Sequence, residues 1–208
     1  MMIFGLIVNV IVILGMTYLT LLMALAGWVT SLRKGQAVTL LPERGRRRWS
    51  VWAQVVVVLL SLAVFGVLFY ILWIPLPLKL SRFTLLILKI CGLIFFLAGL
   101  SLIVWARRTL AAMWGISTSR QVKLMPEHQL IDTGPYAFVR HPMYVGWWVS
   151  VLGLVFIYLT WILVGLLAMS VVVFYRRARL EEVTLAERFG DQWRSYEARS
   201  RFIIPFIY

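Results

Sequence analysis

The sequence has few charged residues for its length. Charged residues make up 14% of the 208 residues, whereas hydrophobic residues make up 62%. A soluble globular domain usually contains about 25% charged and about 45–50% apolar residues. No water-soluble fold of this size could bury so much apolar surface. The composition therefore excludes a soluble domain, and it also excludes an intrinsically disordered chain.

Cysteine and histidine are also scarce. The single cysteine, Cys91, lies in an apolar segment and has no second cysteine with which to form an internal disulfide. With His128 and His141 as the only histidines, the chain has none of the spacings typical of a zinc site or an iron–sulfur cluster. The sequence therefore predicts no metal site.

Long apolar segments dominate the chain instead. Segments 3–29, 51–74 and 83–105 each contain the roughly 20 apolar residues that a membrane-spanning helix needs. A fourth apolar stretch, 142–175, would be about 51 Å long as one helix, far beyond a hydrocarbon core of about 30 Å. We predict that it breaks near 158–161 into a hairpin of two short spans. The sequence thus indicates an all-α, polytopic membrane protein with about five transmembrane helices.

Positive charge is abundant and unevenly distributed. The net charge of +13 would suggest a nucleic-acid partner in a soluble protein, but 18 of the 21 basic residues lie on one side of the predicted spans. Only Lys79 and Arg82 lie on the other side, and Lys89 lies inside the third span. Because cytoplasmic loops are enriched in Lys and Arg, we expect an external N-terminus and a cytoplasmic C-terminus. If the source is a prokaryote, we expect the inner or plasma membrane. Membrane topology explains the charge, so we expect no nucleic-acid partner.

Charged residues also mark both ends of the predicted hairpin. Arg140 precedes it and Arg177 follows it, so the flanking segments should meet at one membrane face. A short amphipathic helix is predicted at 107–115, before the turn signal of Gly134 and Pro135. Pro142 suits the first turn of a helix. Arg140 and His141 would then lie at a helix N-terminus, where free backbone N–H groups favour anions or polar ligand groups.

Two adjacent acids follow the hairpin. Glu181 lies four residues after Arg177, so the two share a helix face, and Glu182 is its neighbour. The acids could form a solvated, salt-bridged helix with Arg177 and Arg188. A carboxylate that contacts a ligand is the alternative.

Several short motifs occur together in the C-terminal half. They are His128-x-Leu130, Gly134-Pro135-Tyr136, Arg140-His141-Pro142-Met143-Tyr144-x-Gly146, Glu181-Glu182 and Phe189-Gly190, followed by Trp193, Tyr196 and Ile204-Pro205-Phe206. This set resembles the isoprenylcysteine carboxyl methyltransferase family over about residues 106–208. The wider superfamily includes phospholipid N-methyltransferases, bacterial thiol methyltransferases and the catalytic half of the much longer sterol reductases. The first two spans match only in being hydrophobic.

The resemblance implies methyl transfer from S-adenosylmethionine, held in a cytoplasmic pocket without a metal, to a lipid-like substrate that enters from the bilayer. It also implies a division into three N-terminal transmembrane helices, 1–105, and a catalytic region, 106–208, with a connector, the hairpin and a C-terminal helix. Arg177 would bind the acceptor, and Arg177, Glu181 and Glu182 are the candidate catalytic residues. By motif position, the cofactor would contact Gln121, His128, Gln129, Leu130, Ile131, Tyr136, His141, Pro142, Met143, Tyr144 and Glu181.

The methyl acceptor remains open at this point. The carboxylate of a prenylcysteine-like lipid is already ionised at neutral pH, so it would need only orientation and exclusion of water. A phospholipid amine must first lose a proton to a base, and Glu182 or His141 would be the candidates. A small thiol is a third possibility. The competing class is a membrane scaffold or a small transporter, but the first three spans lack the broken midplane helices and paired repeats typical of transporters.

Overall fold

The computed structural model describes residues 2–33, 69–110 and 129–203, together with isolated positions from 56 to 67. For residues 2 and 23–33 it describes the backbone alone. The described ranges contain helices and isolated β-bridges but no strand, which confirms the predicted all-α class. The helices are α1 (Met2–Arg33), α2 (Arg82–Leu110), α3 (Pro142–Tyr158), α4 (Trp161–Phe189) and α5 (Asp191–Arg199), with one 3₁₀ turn at Gly134–Ala137.

Three of these helices are long and apolar enough to cross a membrane: α1, over Ile3–Leu22, α2 and α4. The helix α3 is also apolar but has 17 residues. The predicted first and third spans therefore correspond to α1 and α2. The second predicted span, 51–74, is described only in part, and its described positions from 56 to 71 are helical. The count of five spans stays a prediction.

The predicted break in the long apolar stretch is confirmed. Helix α3 ends at Tyr158 and α4 begins at Trp161. Leu159 adopts a left-handed backbone conformation with φ of 48°, which ends α3 because a further helical residue cannot follow it. The chain then reverses, and backbone hydrogen bonds from Leu76 to Leu159 and from Trp161 to Ile74 hold the turn against residues 74–76. Helices α3 and α4 consequently run antiparallel.

Helices α2 and α3 pack closely through pairs of glycines. A Cβ atom on Gly99 would lie 2.4 Å from the carbonyl oxygen of Gly146, and one on Gly153 would lie 2.5 Å from that of Gly92. The glycines are seven residues apart on each helix, so they form one contact line that lets the two backbones approach. Beside this line, Phe96 of α2 is fully buried among side chains from α1, α3 and α4.

The separate helix predicted at 107–115 is wrong over its described part. Arg107 and Arg108 form the last turn of α2, which continues without interruption to Leu110. The sequence contains no glycine or proline between Leu100 and Trp114, and arginine is a good helix former, so nothing ends the helix at the membrane boundary.

Candidate active site

A 3₁₀ turn positions the start of α3. Gly134 adopts φ of 60°, and a Cβ atom there would lie 2.8 Å from the hydroxyl oxygen of Thr109, so the turn packs tightly on the end of α2. The buried Tyr136 follows, and its carbonyl accepts a hydrogen bond of 2.9 Å from the Tyr196 hydroxyl. Burial raises the pKa of Tyr136 above its usual value and that of Tyr196 to about 12. Both hydroxyls are therefore protonated at neutral pH.

The antiparallel pairing brings the start of α3 against the second half of α4. The Tyr144 hydroxyl donates a hydrogen bond of 2.8 Å to Oε1 of Glu181, and Arg177 Nε donates one of 3.0 Å to the same oxygen. The other carboxylate oxygen, Oε2, lies 3.6 Å from Nδ1 of His141, whose side chain is buried. We call these four residues the Glu181 cluster. They join two chain segments that are more than 30 residues apart.

Aromatic rings extend the Glu181 cluster along α3 and α4. The ring of Tyr144 stacks on that of His141, with centroids 5.5 Å apart, and on that of Phe174, with centroids 4.8 Å apart. Trp147 and Trp148 contact Phe174 in turn. Aromatic faces beside a carboxylate attract a cation, because the ring quadrupole and the negative charge act in the same sense.

Glu182 has a different environment from Glu181. Its side chain is only 8% exposed, and its Oε1 accepts a hydrogen bond of 2.6 Å from Nε of Arg140. His141 Nε2 lies 3.4 Å from the same oxygen, but the alignment is too poor for a hydrogen bond, and this buried nitrogen has no other partner in the described part of the chain. Arg179 lies 3.5 Å from Oε2. Glu182 is thus salt-bridged, but it is buried rather than solvated, and its partners are Arg140 and Arg179 instead of the expected Arg177 and Arg188.

Arg140 also connects the site to the end of the chain. Its Nη1 donates hydrogen bonds of 2.8 Å to the Ser200 carbonyl and 3.2 Å to the Glu197 carbonyl. The backbone N–H of Arg140 donates to the Arg201 carbonyl. Sequence reasoning placed Arg140 at a helix N-terminus and missed these long-range partners. The only feature of the sequence that pointed to a role for Arg140 in the site is its position next to His141 in one motif.

The remaining predicted cofactor residues differ in where the structure places them. Pro142 is buried in the first turn of α3, and Met143 is half-buried beside it. Leu130 and Ile131 are half-buried and Gln129 is exposed in the segment before the 3₁₀ turn, and they make none of the contacts of the Glu181 cluster. Gln121 and His128 lie outside the described residues.

Comparison with known proteins identifies the family. A family model described as phospholipid methyltransferase matches residues 87–192, just over half of the chain. The protein-S-isoprenylcysteine O-methyltransferase of Mus musculus is 36% identical over 81 residues, which cover 38% of this chain and 29% of the mouse protein. That of Schizosaccharomyces pombe is 36% identical over 88 residues, 39% of this chain and 35% of the yeast protein. The matches thus span about a third of the length of these curated relatives.

A solved structure gives the same result. The structure of the eukaryotic intramembrane Ras methyltransferase, an isoprenylcysteine carboxyl methyltransferase, is similar with a TM-score of 0.52 and 26% sequence identity. The similarity covers 76% of this chain and 55% of that one. The resemblance predicted from the motifs is confirmed, and the family match contains all four residues of the Glu181 cluster. The chain belongs to the phospholipid methyltransferase family of membrane proteins.

Proposed function

We propose that the protein is a methyltransferase that uses S-adenosylmethionine to methylate the carboxylate of a prenylcysteine-like lipid. The observation that carries this proposal is the hydrogen bond between Arg177 and Glu181. By the family resemblance, Arg177 belongs to the acceptor and Glu181 to the cofactor. Methyl donor and acceptor must meet, so their binding residues must be neighbours. The names of the curated relatives support the same activity.

The residues present fit S-adenosylmethionine. That cofactor has a cationic sulfonium, an ammonium group, and polar ribose and adenine groups. The Glu181 cluster offers a carboxylate together with the stacked faces of His141 and Tyr144. His141 Nε2 is buried without a hydrogen-bond partner in the described residues, so the site has an unused polar atom. His141, Tyr144 and Glu181 would therefore hold the cofactor, which supplies an electrophilic methyl group when bound.

The side chains of the protein would act by binding and orientation. Tyr144 donates to Glu181, which fixes the carboxylate towards the aromatic faces. Arg177 presents a planar guanidinium that can hold a carboxylate by charge-assisted hydrogen bonds. A carboxylate acceptor is ionised at neutral pH, so no side chain has to remove a proton from it. Catalysis then consists of alignment and exclusion of water, effects that can lower a barrier by about 7–11 kcal/mol.

A phospholipid amine is the second candidate acceptor, and the description of the matching family favours it. An ammonium must be deprotonated before it can attack. Glu182 is a poor base for this purpose because it is buried and hydrogen-bonded to Arg140. Arg177 would also repel a protonated amine. The surroundings of the two acids therefore favour a carboxylate acceptor.

The same proposal includes the membrane setting. We propose that the Glu181 cluster faces the cytoplasm, that residues 106–208 form the catalytic region, and that the lipid acceptor reaches it from the bilayer. The concentration of basic residues on this side supports the orientation. The exposed apolar side chains of α4, such as Met169 and Val172, support contact with lipid.

Methyl transfer in vitro tests the proposal. Purified protein in detergent is supplied with radiolabelled S-adenosylmethionine and, in parallel, with a prenylcysteine, a phospholipid amine or a small thiol. We expect label in the prenylcysteine ester. Label in the phospholipid or the thiol would replace the acceptor and keep the reaction type. Absence of transfer to all three, together with no heat of cofactor binding, would leave a scaffold or a transporter.

A further inference from the structure

The chain after α4 folds back onto the start of α3. Gly190 adopts φ of 49°, a conformation that favours glycine, and the chain turns there into α5. Trp193 and Tyr196 of α5 are buried at 3% exposure each, and Tyr196 donates to the carbonyl of Tyr136. We call residues 191–203 the C-terminal clasp. The short α5 is therefore seated on the segment that enters the site.

Backbone hydrogen bonds fasten the end of the clasp beside His141. Arg140 N–H donates 2.7 Å to the Arg201 carbonyl, and Arg201 N–H donates 3.0 Å to the Phe138 carbonyl. Arg140 adds two hydrogen bonds from its guanidinium to the carbonyls of Glu197 and Ser200 while its Nε binds Glu182. One guanidinium thus links the clasp to α4.

Phe202 at the end of the clasp packs on the site itself. Its ring meets that of His141 edge to face, with centroids 5.3 Å apart, and meets that of Tyr175 in the same way at 5.6 Å. The guanidinium carbons of Arg179 and Arg140 lie 4.5 Å and 5.7 Å from the centroid of the Phe202 ring. The ring is therefore held by two cations while it contacts the imidazole.

The contacts of His141 indicate how the C-terminal clasp affects the site. The imidazole has Tyr144 stacked on it, Glu181 near Nδ1 and Glu182 near Nε2, but neither nitrogen makes a well-aligned hydrogen bond to these acids. Packing against the neighbouring rings therefore contributes to fixing the imidazole. We propose that the C-terminal clasp positions His141 for the cofactor, and that Phe202 and Arg140 are its positioning residues. The proposal rests on the proposed function for the identity of the ligand.

Substitutions of Phe202 test whether its aromatic ring positions His141 or whether any apolar side chain of similar size would serve. Phe202→Tyr keeps the ring, and Phe202→Leu keeps an apolar side chain but removes the edge contact and both cation–π contacts. We expect Phe202→Leu and Phe202→Ala to raise the dissociation constant of S-adenosylmethionine about fivefold to tenfold. The KM of the acceptor and kcat at saturating cofactor should stay near wild-type values. Phe202→Tyr should bind as the wild type does.

Two exposed residues provide matched controls. The side chain of Phe138 is 67% exposed, and that of Arg194 is 81% exposed and pairs only with Asp191 among the described residues. Phe138→Ala and Arg194→Lys should leave cofactor affinity unchanged, whereas Arg140→Lys should weaken it because a lysine cannot span Glu182 and both carbonyls. Equal effects of the controls and the clasp variants would overturn the proposal, as would full affinity in Phe202→Leu.

A measurement without cofactor separates this proposal from the proposed function. Hydrogen–deuterium exchange over residues 138–145 should be faster in Phe202→Leu and Arg140→Lys than in the wild type or the two controls. If the wild type binds no S-adenosylmethionine, the proposed function fails, and the exchange rates still decide whether the clasp orders this segment. Wild-type exchange in both clasp variants would refute the clasp even in an active enzyme.

Discussion

Glu181 and Glu182 are neighbours in the sequence, yet their surroundings assign them different roles. The Glu181 side chain is 23% exposed and faces an arginine and a tyrosine, whereas that of Glu182 is 8% exposed and binds the buried Arg140. A carboxylate that must meet a ligand needs access. The structure therefore favours Glu181 as the ligand-facing acid and Glu182 as a structural one.

Neutralising Glu182 should mainly lower stability, whereas neutralising Glu181 should mainly weaken cofactor binding. Glu182→Gln removes the buried charge partner of the Arg140 guanidinium and leaves only the half-exposed Glu197 at 3.9 Å, so we expect the free energy of unfolding to fall by about 3 kcal/mol. Glu181→Gln should change stability much less but weaken binding of S-adenosylmethionine. Denaturation in detergent and calorimetric titration measure the two quantities. A stable Glu182→Gln protein that cannot bind the cofactor would reverse the assignment.

Arg177 should distinguish the acceptor classes. Arg177→Lys keeps the charge but loses the planar fork, so carboxyl methylation should fall by a larger factor than cofactor affinity, which should change only through the lost hydrogen bond to Glu181. With an amine acceptor, removal of the cation in Arg177→Ala should be tolerated or should even help. Methyl transfer by wild type and both variants on the two acceptors gives the answer. Full carboxyl methylation by Arg177→Ala is incompatible with our role for this residue.

The Tyr144 hydroxyl can be tested with a closely matched control. Tyr144→Phe removes the hydroxyl that orients the Glu181 carboxylate, so the dissociation constant of S-adenosylmethionine should rise, by about tenfold at most. Tyr158 lies at the other end of α3, and its hydroxyl donates a hydrogen bond of 3.1 Å to Asn9 of α1. Tyr158→Phe removes this hydroxyl and serves as the control. Cofactor affinity should not change there. A rise of equal size in both variants would indicate a general loss of folding.

Sequence reasoning recovered the local part of this site and missed the long-range part. The contact between Arg177 and Glu181 follows from helical spacing, because residues four apart share a face. The pairing of Arg140 with Glu182 spans 42 residues and depends on how α3 packs against α4, which spacing cannot give. Phe202 carried no signal, since a single aromatic residue near a chain end has no periodicity.

At the scale of whole helices, length and composition predicted the boundaries better than spacing predicted the side-chain contacts. The break at Leu159 followed from the excess of the apolar stretch over the bilayer thickness. The apolar segment 83–105 stops before the charged Arg107 and Arg108, so composition does not predict the continuation of α2 to Leu110. Charge marks a membrane boundary, whereas a helix ends where its hydrogen bonds or dihedral angles fail.

The glycine contacts between α2 and α3 should tolerate no side chain. Gly99→Ala would place a methyl group 2.4 Å from the Gly146 carbonyl oxygen and the Ser150 hydroxyl oxygen, so the helices must separate. We expect a loss of about 1–3 kcal/mol in the free energy of unfolding. Gly165→Ala on α4 meets nothing within 4 Å and should stabilise the helix by about 0.5–1 kcal/mol. Unfolding in detergent measures both, and equal stability would contradict the packing.

At the scale of the whole molecule, the start of α3 and the end of α4 should face the same side of the membrane. In a Cys91→Ala background, Phe138→Cys and Arg179→Cys offer exposed positions at that end, and Lys79→Cys lies beyond the opposite end. Impermeant thiol reagents should label positions 138 and 179 from the cytoplasm and position 79 from outside. Labelling of 138 and 179 from different sides would remove the basis for the site.

The shortness of α3 has a consequence for the surrounding lipid. Its 17 residues measure about 25 Å, roughly 5 Å less than an average hydrocarbon core. If α3 spans the membrane, as the proposed five-span topology requires, we expect local thinning of the bilayer to relieve this hydrophobic mismatch, because tilting would shorten the span further. Lipid headgroups next to α3 would then be drawn inward towards His141 and Glu181. The polar end of a lipid acceptor could therefore reach these side chains while it stays in the headgroup layer.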